Sequence, residues 1–160
     1  MPVSGRWWIV RRYLVDANQT LGGEELWGAI RERIAGGDCH FHLLVPATPA
    51  AQLDPGSTTE VVAAEGGTGE DLGRRLARQR MRHELDRMRE LGASVSGEIG
   101  VADPVDAVRV VLHRWEFDEV IVSTLPGRRS RWLAADLPTK IRRGFKLQVT
   151  QVTGATVAKG

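Results

Sequence analysis

The sequence predicts an α/β fold, a three-layer arrangement with a mainly parallel sheet and helices on both faces. Short apolar runs alternate with segments of helical spacing, in the order β-α-β-α-β-α-β-α-β. Strands that alternate with helices pair in parallel through right-handed crossovers, which place helices on both sheet faces. The 160 residues and 42% hydrophobic content are those of one soluble domain. We expect this domain at 1–152, with an amino-terminal extension at 1–10 and a frayed tail at 153–160.

Two strands and a helix are predicted in the first third of the chain. RRYLVDAN (11–18) is the first strand, Thr20 is the expected N-cap, and a helix follows over 21–34 until two glycines stop it. CHFHLLVPA (39–47) is the second strand, apolar enough at its end to be covered on both faces. Residues 46–69 are rich in Pro, Ala, Thr and Gly and predict a long flexible loop.

The strongest helical pattern is EDLGRRLARQRMRHELDRMRELG (70–92), with Gly92 as the residue that ends the helix. Its apolar face consists of Leu72, Leu76, Leu85, Met88 and Leu91. Its seven arginines allow a nucleic-acid surface. Acidic residues at helical spacing favour a solvated face with ion pairs instead.

The last third supplies three more strands and two helices. ASVSGEIGVADP (93–104) is a strand that ends in a turn, with Asp103 as the N-cap and Pro104 as the first residue of the next helix. FDEVIVST (117–124) is the fourth strand. The last helix, RWLAADLPTKIRRGF, and the fifth strand, LQVTQV (147–152), complete the pattern.

Charge is unevenly distributed along the chain, although the net charge is only +2. Residues 128–146 carry seven basic residues and one acid, whereas 13–127 carry 11 basic and 19 acidic residues. A basic end favours an anionic partner, and a solvated helix face is an equal alternative for 140–146. Nucleic acid is not the expected partner, because the basic segment has few interleaved aromatic residues and the remainder is acidic.

Several classes of protein are not indicated. No stretch approaches the ~20 apolar residues of a membrane span, and the start has no secretory signal, so we expect a cytoplasmic protein without a membrane partner. The single cysteine, Cys39, forms neither an internal disulfide nor a cysteine-based metal site by itself. We read it as a small core residue.

Recognised catalytic motifs are absent from the sequence as well. It contains no dinucleotide-binding glycine motif after the first strand, no Walker loop and no nucleophile elbow. His40 and His42 share one face of a strand, but no third ligand lies near in sequence, so packing or surface histidines are favoured over a metal site. We therefore expect no enzymatic activity and no metal.

A ligand site is predicted at the carboxyl ends of the strands, where parallel α/β sheets bind ligands. The turn STLPGRRSR (123–131) offers backbone N–H groups, a helix start and three arginines to an anion. The alternative is that Ser130 only caps the helix and the arginines stay in solvent. The predicted ligand-binding residues are Ala17, Asn18, Thr20, Val45, Gly100, Asp103, Ser123, Thr124, Gly127, Arg128, Arg129 and Ser130.

The stretch GVADPVDAVRVVLHRWEFDEVIVST (100–124) and the closing RGFKLQVTQV (143–152) resemble the universal stress protein family. The resemblance covers roughly residues 11–152. It implies a five-stranded parallel sheet in the order 3-2-1-4-5 and a homodimer through the fifth strand. It also implies a regulatory, stress-response role, with ATP or another adenine nucleotide bound by some members.

The nucleotide motif that the family carries is degenerate in this chain. Aligned on the fourth strand and last helix, Pro126 and Arg129 stand where the first two glycines are expected. Ala135 and Asp136 stand where a Gly-Ser pair is expected, and a carboxylate there repels phosphate. The family's aspartate at the end of strand one is matched to Asn18.

Two functions therefore stay open. One is a regulatory module that binds a nucleotide or another anionic small ligand between strands one and four. The other is a homodimeric interaction protein without a nucleotide, which contacts a protein partner through its basic end or through Trp7 and Trp8.

Overall fold

Nine helices and strands make up the part of the chain that the computed structural model describes, which is residues 10–17, 23–47, 69–101, 103–124 and 131–153. The predictions for 1–9, 48–68, 125–130 and 154–160, which include Trp7 and Trp8, lie outside these residues. The elements are β1 (Arg11–Asp16), α1 (Glu24–Ala35), β2 (Cys39–Pro46), α2 (Gly69–Glu90), β3 (Ser94–Gly100), α3 (Pro104–Arg114), β4 (Glu119–Thr124), α4 (Arg131–Phe145) and β5 (Gln148–Thr153).

The five strands form one parallel sheet in the order β3-β2-β1-β4-β5. This confirms the predicted fold class and the strand order that the family resemblance implied. The chain runs from β1 outward to β3 and then crosses back to β4 on the other side of β1. The order therefore reverses between β1 and β4, which is where α/β sheets of this kind bind ligands.

Alternation along the strands divides the core into two layers. Tyr13 and Val15 of β1 pack with apolar residues of α1 and α2 on one face of the sheet. Leu14 packs with α3 and α4 on the other face. Successive strand residues point to opposite faces, so Asp16 belongs to the α3 and α4 face.

A buried ion pair ties α1 to the sheet. The Arg33 guanidinium donates to both carboxylate oxygens of Glu119, at 3.2 and 2.6 Å, and Thr150 of β5 donates to the same carboxylate. The two charged side chains are only 14% and 8% exposed. The hydrogen bond that Arg33 donates to Glu119 outweighs burial and raises the pKa of Arg33, so the guanidinium stays charged.

The N-cap predicted for the first helix is wrong. The helix begins at Glu24, and its N-cap is Gly23, which is extended at φ −72° and ψ 150° and has no side-chain cap. Glu24 and Glu25 lie in the first turn, where carboxylates interact favourably with the positive end of the helix dipole. The helix can therefore begin without a hydroxyl cap.

The long helix α2 has the predicted solvated face with ion pairs. Arg89 pairs with Asp86 at 3.1 Å among exposed side chains. Arg87 pairs at 3.3 Å with Glu84, whose side chain is buried at 7% exposure. Gly92 follows the helix with φ +89°, a conformation that favours glycine. One detail of the predicted apolar face is wrong, because Leu91 lies just beyond the helix and is 42% exposed.

Within the part of the chain that the structure describes, none of the helices has the length and apolar content needed to span a bilayer.

Candidate functional site

The carboxyl ends of four strands meet at one edge of the sheet. Asp16 of β1 is paired with Leu44 of β2 on one side and with Val122 of β4 on the other. The N–H of Ala17 donates to the Leu44 carbonyl at 3.2 Å, and the N–H of Ala47 donates to the Gly100 carbonyl at 3.1 Å. The ends of β1, β2, β3 and β4 are thereby held at nearly the same level.

Asp16 is the distinctive polar group of this edge. Its side chain is buried, with the residue only 4% exposed, among apolar neighbours on the α3 and α4 face. Oδ1 has no hydrogen-bond partner within the described residues. Burial raises the pKa of this carboxyl from 3.8 to about 7. A buried carboxyl oxygen without a partner is costly and marks a place where a ligand donor can bind.

The first strand ends at an aspartate. β1 ends at Asp16, the last residue paired with both neighbouring strands. The match of Asn18 to the family's strand-one aspartate stays a prediction. Asn18 itself lies outside the described residues.

Ala17 and Val45 lie at the predicted edge, but their side chains belong to the hydrophobic core on the α1 and α2 face. They are 3% and 0% exposed. Any contact that they make to a ligand must therefore come from backbone N–H and C=O groups.

Gly100 and Asp103 connect β3 to α3. A Cβ on Gly100 would lie 2.8 Å from the Ala107 Cβ and 2.9 Å from Leu44 Cδ1, so glycine is needed for α3 to pack closely. Asp103 is the predicted N-cap, since its Oδ1 accepts from the N–H groups of Val105 and Asp106 at 2.9 and 3.1 Å. A structural role accounts for both residues, and their ligand contacts stay a prediction.

Ser123 and Thr124 end β4, paired with Val152 and Thr153 of β5. Ser123 is half-buried and lies one residue beyond the partner of Asp16. The remaining predicted site residues lie outside the described part of the chain. They are Asn18 and Thr20, together with Gly127, Arg128, Arg129 and Ser130 of the cationic turn.

The two strand histidines share one sheet face, as predicted, and bond to protein groups. His40 contacts Ser94 and Ser96, and His42 contacts Ser96 and Glu98. Among the described residues, no group of three or more His, Cys, Asp or Glu side chains is arranged to hold a metal ion.

Sequence reasoning overlooked Asp16 as a site residue. The available signal was a single acid that closes the apolar run YLV just before the expected sheet edge. An acid in that position is either exposed or buried without a partner, and the sequence does not distinguish the two. The pairing of β1 on both sides decides in favour of burial.

Comparison with known proteins identifies the fold. No protein-family model matches the chain, and no curated protein matches it either. A universal stress protein family protein from Arabidopsis thaliana, solved with AMP bound, matches with a TM-score of 0.54 and 13% identity, over 90% of this chain and 92% of that chain. A universal stress protein from Archaeoglobus fulgidus matches with a TM-score of 0.52 and 13% identity, over 90% of this chain and 94% of that chain. The chain thus has the fold of the universal stress proteins, as the sequence resemblance predicted.

Proposed function

We propose that this protein is a regulatory module of the universal stress type that binds an adenine nucleotide or a related small anionic ligand. The ligand lies at the carboxyl ends of β1 and β4. The observation that carries the proposal is Asp16, a buried carboxyl at the point where the strand order reverses, whose Oδ1 has no hydrogen-bond partner among the described residues. The AMP in the structurally similar Arabidopsis protein supports the ligand class.

Asp16 is suited to the neutral, hydrogen-bonding part of such a ligand. With its pKa raised to about 7 by burial, the carboxyl exists both as an acceptor and as an O–H donor near neutral pH. A base amine or a ribose hydroxyl can satisfy it in either form. The anionic part of the ligand then extends toward the cationic turn 125–130, as the sequence predicts.

We expect contacts to the ribose and base to contribute more to nucleotide binding than contacts to a triphosphate. The sequence has Pro126, Arg129 and Ala135 where the three glycines of the motif are expected, and it carries Asp136 in place of a hydroxyl residue. A carboxylate near phosphates weakens binding as phosphate charge increases. We therefore expect AMP to bind at least as tightly as ATP.

Isothermal titration with AMP, ADP, ATP and cyclic AMP tests the proposal. We expect at least one adenine nucleotide to release heat that saturates at one site per chain, and Asp16→Ala to weaken that binding at least tenfold. Asp106→Ala, an exposed aspartate on α3, is the matched control and should leave the affinity unchanged. No heat with any of the four nucleotides, at protein concentrations that detect micromolar binding, would contradict the proposal.

The edge position of β5 supports a homodimer as the assembly of this module. β5 pairs only with β4 in the sheet order, so its outer edge is not paired within the described sheet. An edge strand is a position at which a second copy can extend the sheet. Light scattering should then give twice the chain mass of 17.6 kDa, and a mass equal to one chain would exclude this assembly.

A further inference from the structure

A row of polar side chains crosses the α3 face of β2 and β3, away from the proposed nucleotide site. Ser94 and Ser96 contact the two ring nitrogens of His40, each at 2.8 Å. Ser96 also contacts His42 Nδ1 at 2.7 Å, and His42 Nε2 contacts Glu98 Oε2 at 2.7 Å. We call this set, from Ser94 to Glu98 with both histidines, the serine-histidine ladder.

Glu98 fixes the direction of every hydrogen bond in the ladder. Burial raises its pKa, but the hydrogen bonds from His42 and Arg114 outweigh burial and lower the pKa below the ordinary value. Arg114 donates to both carboxylate oxygens, at 2.6 and 2.7 Å. The ionised Glu98 can only accept, so His42 Nε2 is the donor, and in the neutral imidazole Nδ1 is then the acceptor. The Ser96 hydroxyl must then donate to His42.

The same reasoning assigns the rest of the ladder. Since the Ser96 proton points to His42, the contact with His40 requires His40 Nε2–H to donate to Ser96 Oγ. Burial, together with the nearby Arg12 and His42, lowers the pKa of His40, so a neutral His40 accepts from Ser94 through Nδ1. Ser96 Oγ is left with one free lone pair.

We propose that Ser96 is a nucleophilic serine that reacts with small acyl esters, with His42 as its general base and Glu98 as the carboxylate that orients and stabilises His42. Both distances, 2.7 Å from Ser96 Oγ to His42 Nδ1 and 2.7 Å from His42 Nε2 to Glu98, are those of a nucleophile, base and orienting group that act together. This activity is separate from nucleotide binding, because it uses another part of the sheet.

The reaction balances with an ester and water alone. Ser96 Oγ attacks the carbonyl carbon while its proton passes to His42 Nδ1, and the imidazolium formed is stabilised by Glu98. The leaving alkoxide takes that proton when the C–O bond breaks, which leaves an ester on Ser96. Water, deprotonated by His42, then attacks this ester, and Ser96 recovers its proton as the carboxylic acid is released.

An arginine lies beside the ladder on the same sheet face. Arg12 of β1 is paired in register with His40, and burial and then the Arg12 charge lower the pKa of His40. The guanidinium carbon lies 5.8 Å from the Phe117 ring centroid, and the Phe117 and His42 ring centroids lie 6.1 Å apart. Arg12 and His42 thus border the same aromatic side chain, which places a cation at the β1 side of the ladder.

Ser94 provides an internal control. It also donates to a histidine, but the other nitrogen of that histidine faces Ser96 and not a carboxylate. Ser94 is exposed, whereas Ser96 is only half-buried. If exposure determines the reactivity of a serine, Ser94 should react first. If contact with a histidine that is paired with a carboxylate determines it, Ser96 should react first.

The test is covalent labelling of the intact, nucleotide-free protein with a fluorophosphonate probe, in which a serine oxygen displaces fluoride from phosphorus. Peptide mass spectrometry locates the adduct. We expect Ser96 to be labelled at least tenfold faster than Ser94, and the exposed control variant Asp106→Ala to keep this rate. We expect His42→Gln to lose at least tenfold, since a general base contributes about 10²–10⁴. Glu98→Gln is the second variant, expected to lose at least fivefold if His42→Gln fails to fold.

Three results would overturn the proposal: no adduct at Ser96 above that of the heat-unfolded chain, equal labelling of both serines, or an unchanged Ser96 rate in a folded His42 or Glu98 variant. The adduct reports on Ser96 without any nucleotide, so failure here leaves the proposed nucleotide site untouched.

Discussion

Replacing Asp16 with asparagine should change how the stability of the ligand-free protein depends on pH. Burial raises the pKa of this carboxyl from 3.8 to about 7 in the folded state. Its contribution to stability is therefore fully present below pH 3.8 and is lost as pH rises through 7. A rise of about three pH units corresponds to about 4 kcal/mol, of which about 2.5 kcal/mol is lost between pH 5 and pH 8.

Urea unfolding followed by tryptophan fluorescence measures this effect at pH 5, 6, 7 and 8. The free energy of unfolding of Asp16→Asn, minus that of the natural chain, should increase by about 2.5 kcal/mol from pH 5 to pH 8. Asp106→Asn is the control, because that side chain is 58% exposed and should shift the difference by less than about 0.5 kcal/mol. A difference for Asp16→Asn that stays constant over this pH range would refute the burial of an ionisable carboxyl at this position.

Three further substitutions test the packing of α3 and the ion pair that holds α1. Gly100→Ala should lower the free energy of unfolding by about 1–3 kcal/mol, because the new methyl group would lie 2.8 Å from the Ala107 Cβ. Gly28→Ala, with nothing within 4 Å, should instead raise it by about 0.5–1 kcal/mol; equal effects in chemical denaturation would contradict the close approach of α3. Arg33→Ala should cost about 3 kcal/mol, since it leaves Glu119 buried without its partner. An unchanged unfolding midpoint would show that the pair does not hold α1 to the sheet.

The architecture was predictable because each element carries a local signal that agrees with its neighbours. The apolar runs at 39–47 and 117–124 are typical of buried parallel strands, and Asp103 with Pro104 marks the start of a helix. The strand order came from the family resemblance, since alternation of strands and helices alone does not choose it. The N-cap at Gly23 was not predictable, because Thr20 is the better capping residue and Gly23 has no side chain that could cap the helix.

The candidate site was predictable in location but less so in chemistry. The carboxyl ends of the strands follow from the fold, yet Ala17 and Val45 turn their side chains into the core. Asp16 is buried because β1 is paired with β2 on one side and with β4 on the other, and both pairings are long-range. The serine-histidine ladder depends in the same way on the register of β2 against β3, which pairs His42 with Ser96. Neither feature is encoded in a local motif.

The measurement that tests the central claim most directly is a two-dimensional ¹H–¹⁵N spectrum of the labelled protein, titrated with AMP. The account predicts saturable shifts of the amides at the carboxyl ends of β1 and β4, Asp16, Ala17, Ser123 and Thr124, with little change at the opposite ends of the strands, Arg11, Cys39 and Ser94. A spectrum that does not change with AMP, or shifts confined to the amino ends of the strands, would contradict a nucleotide site at the point where the strand order reverses.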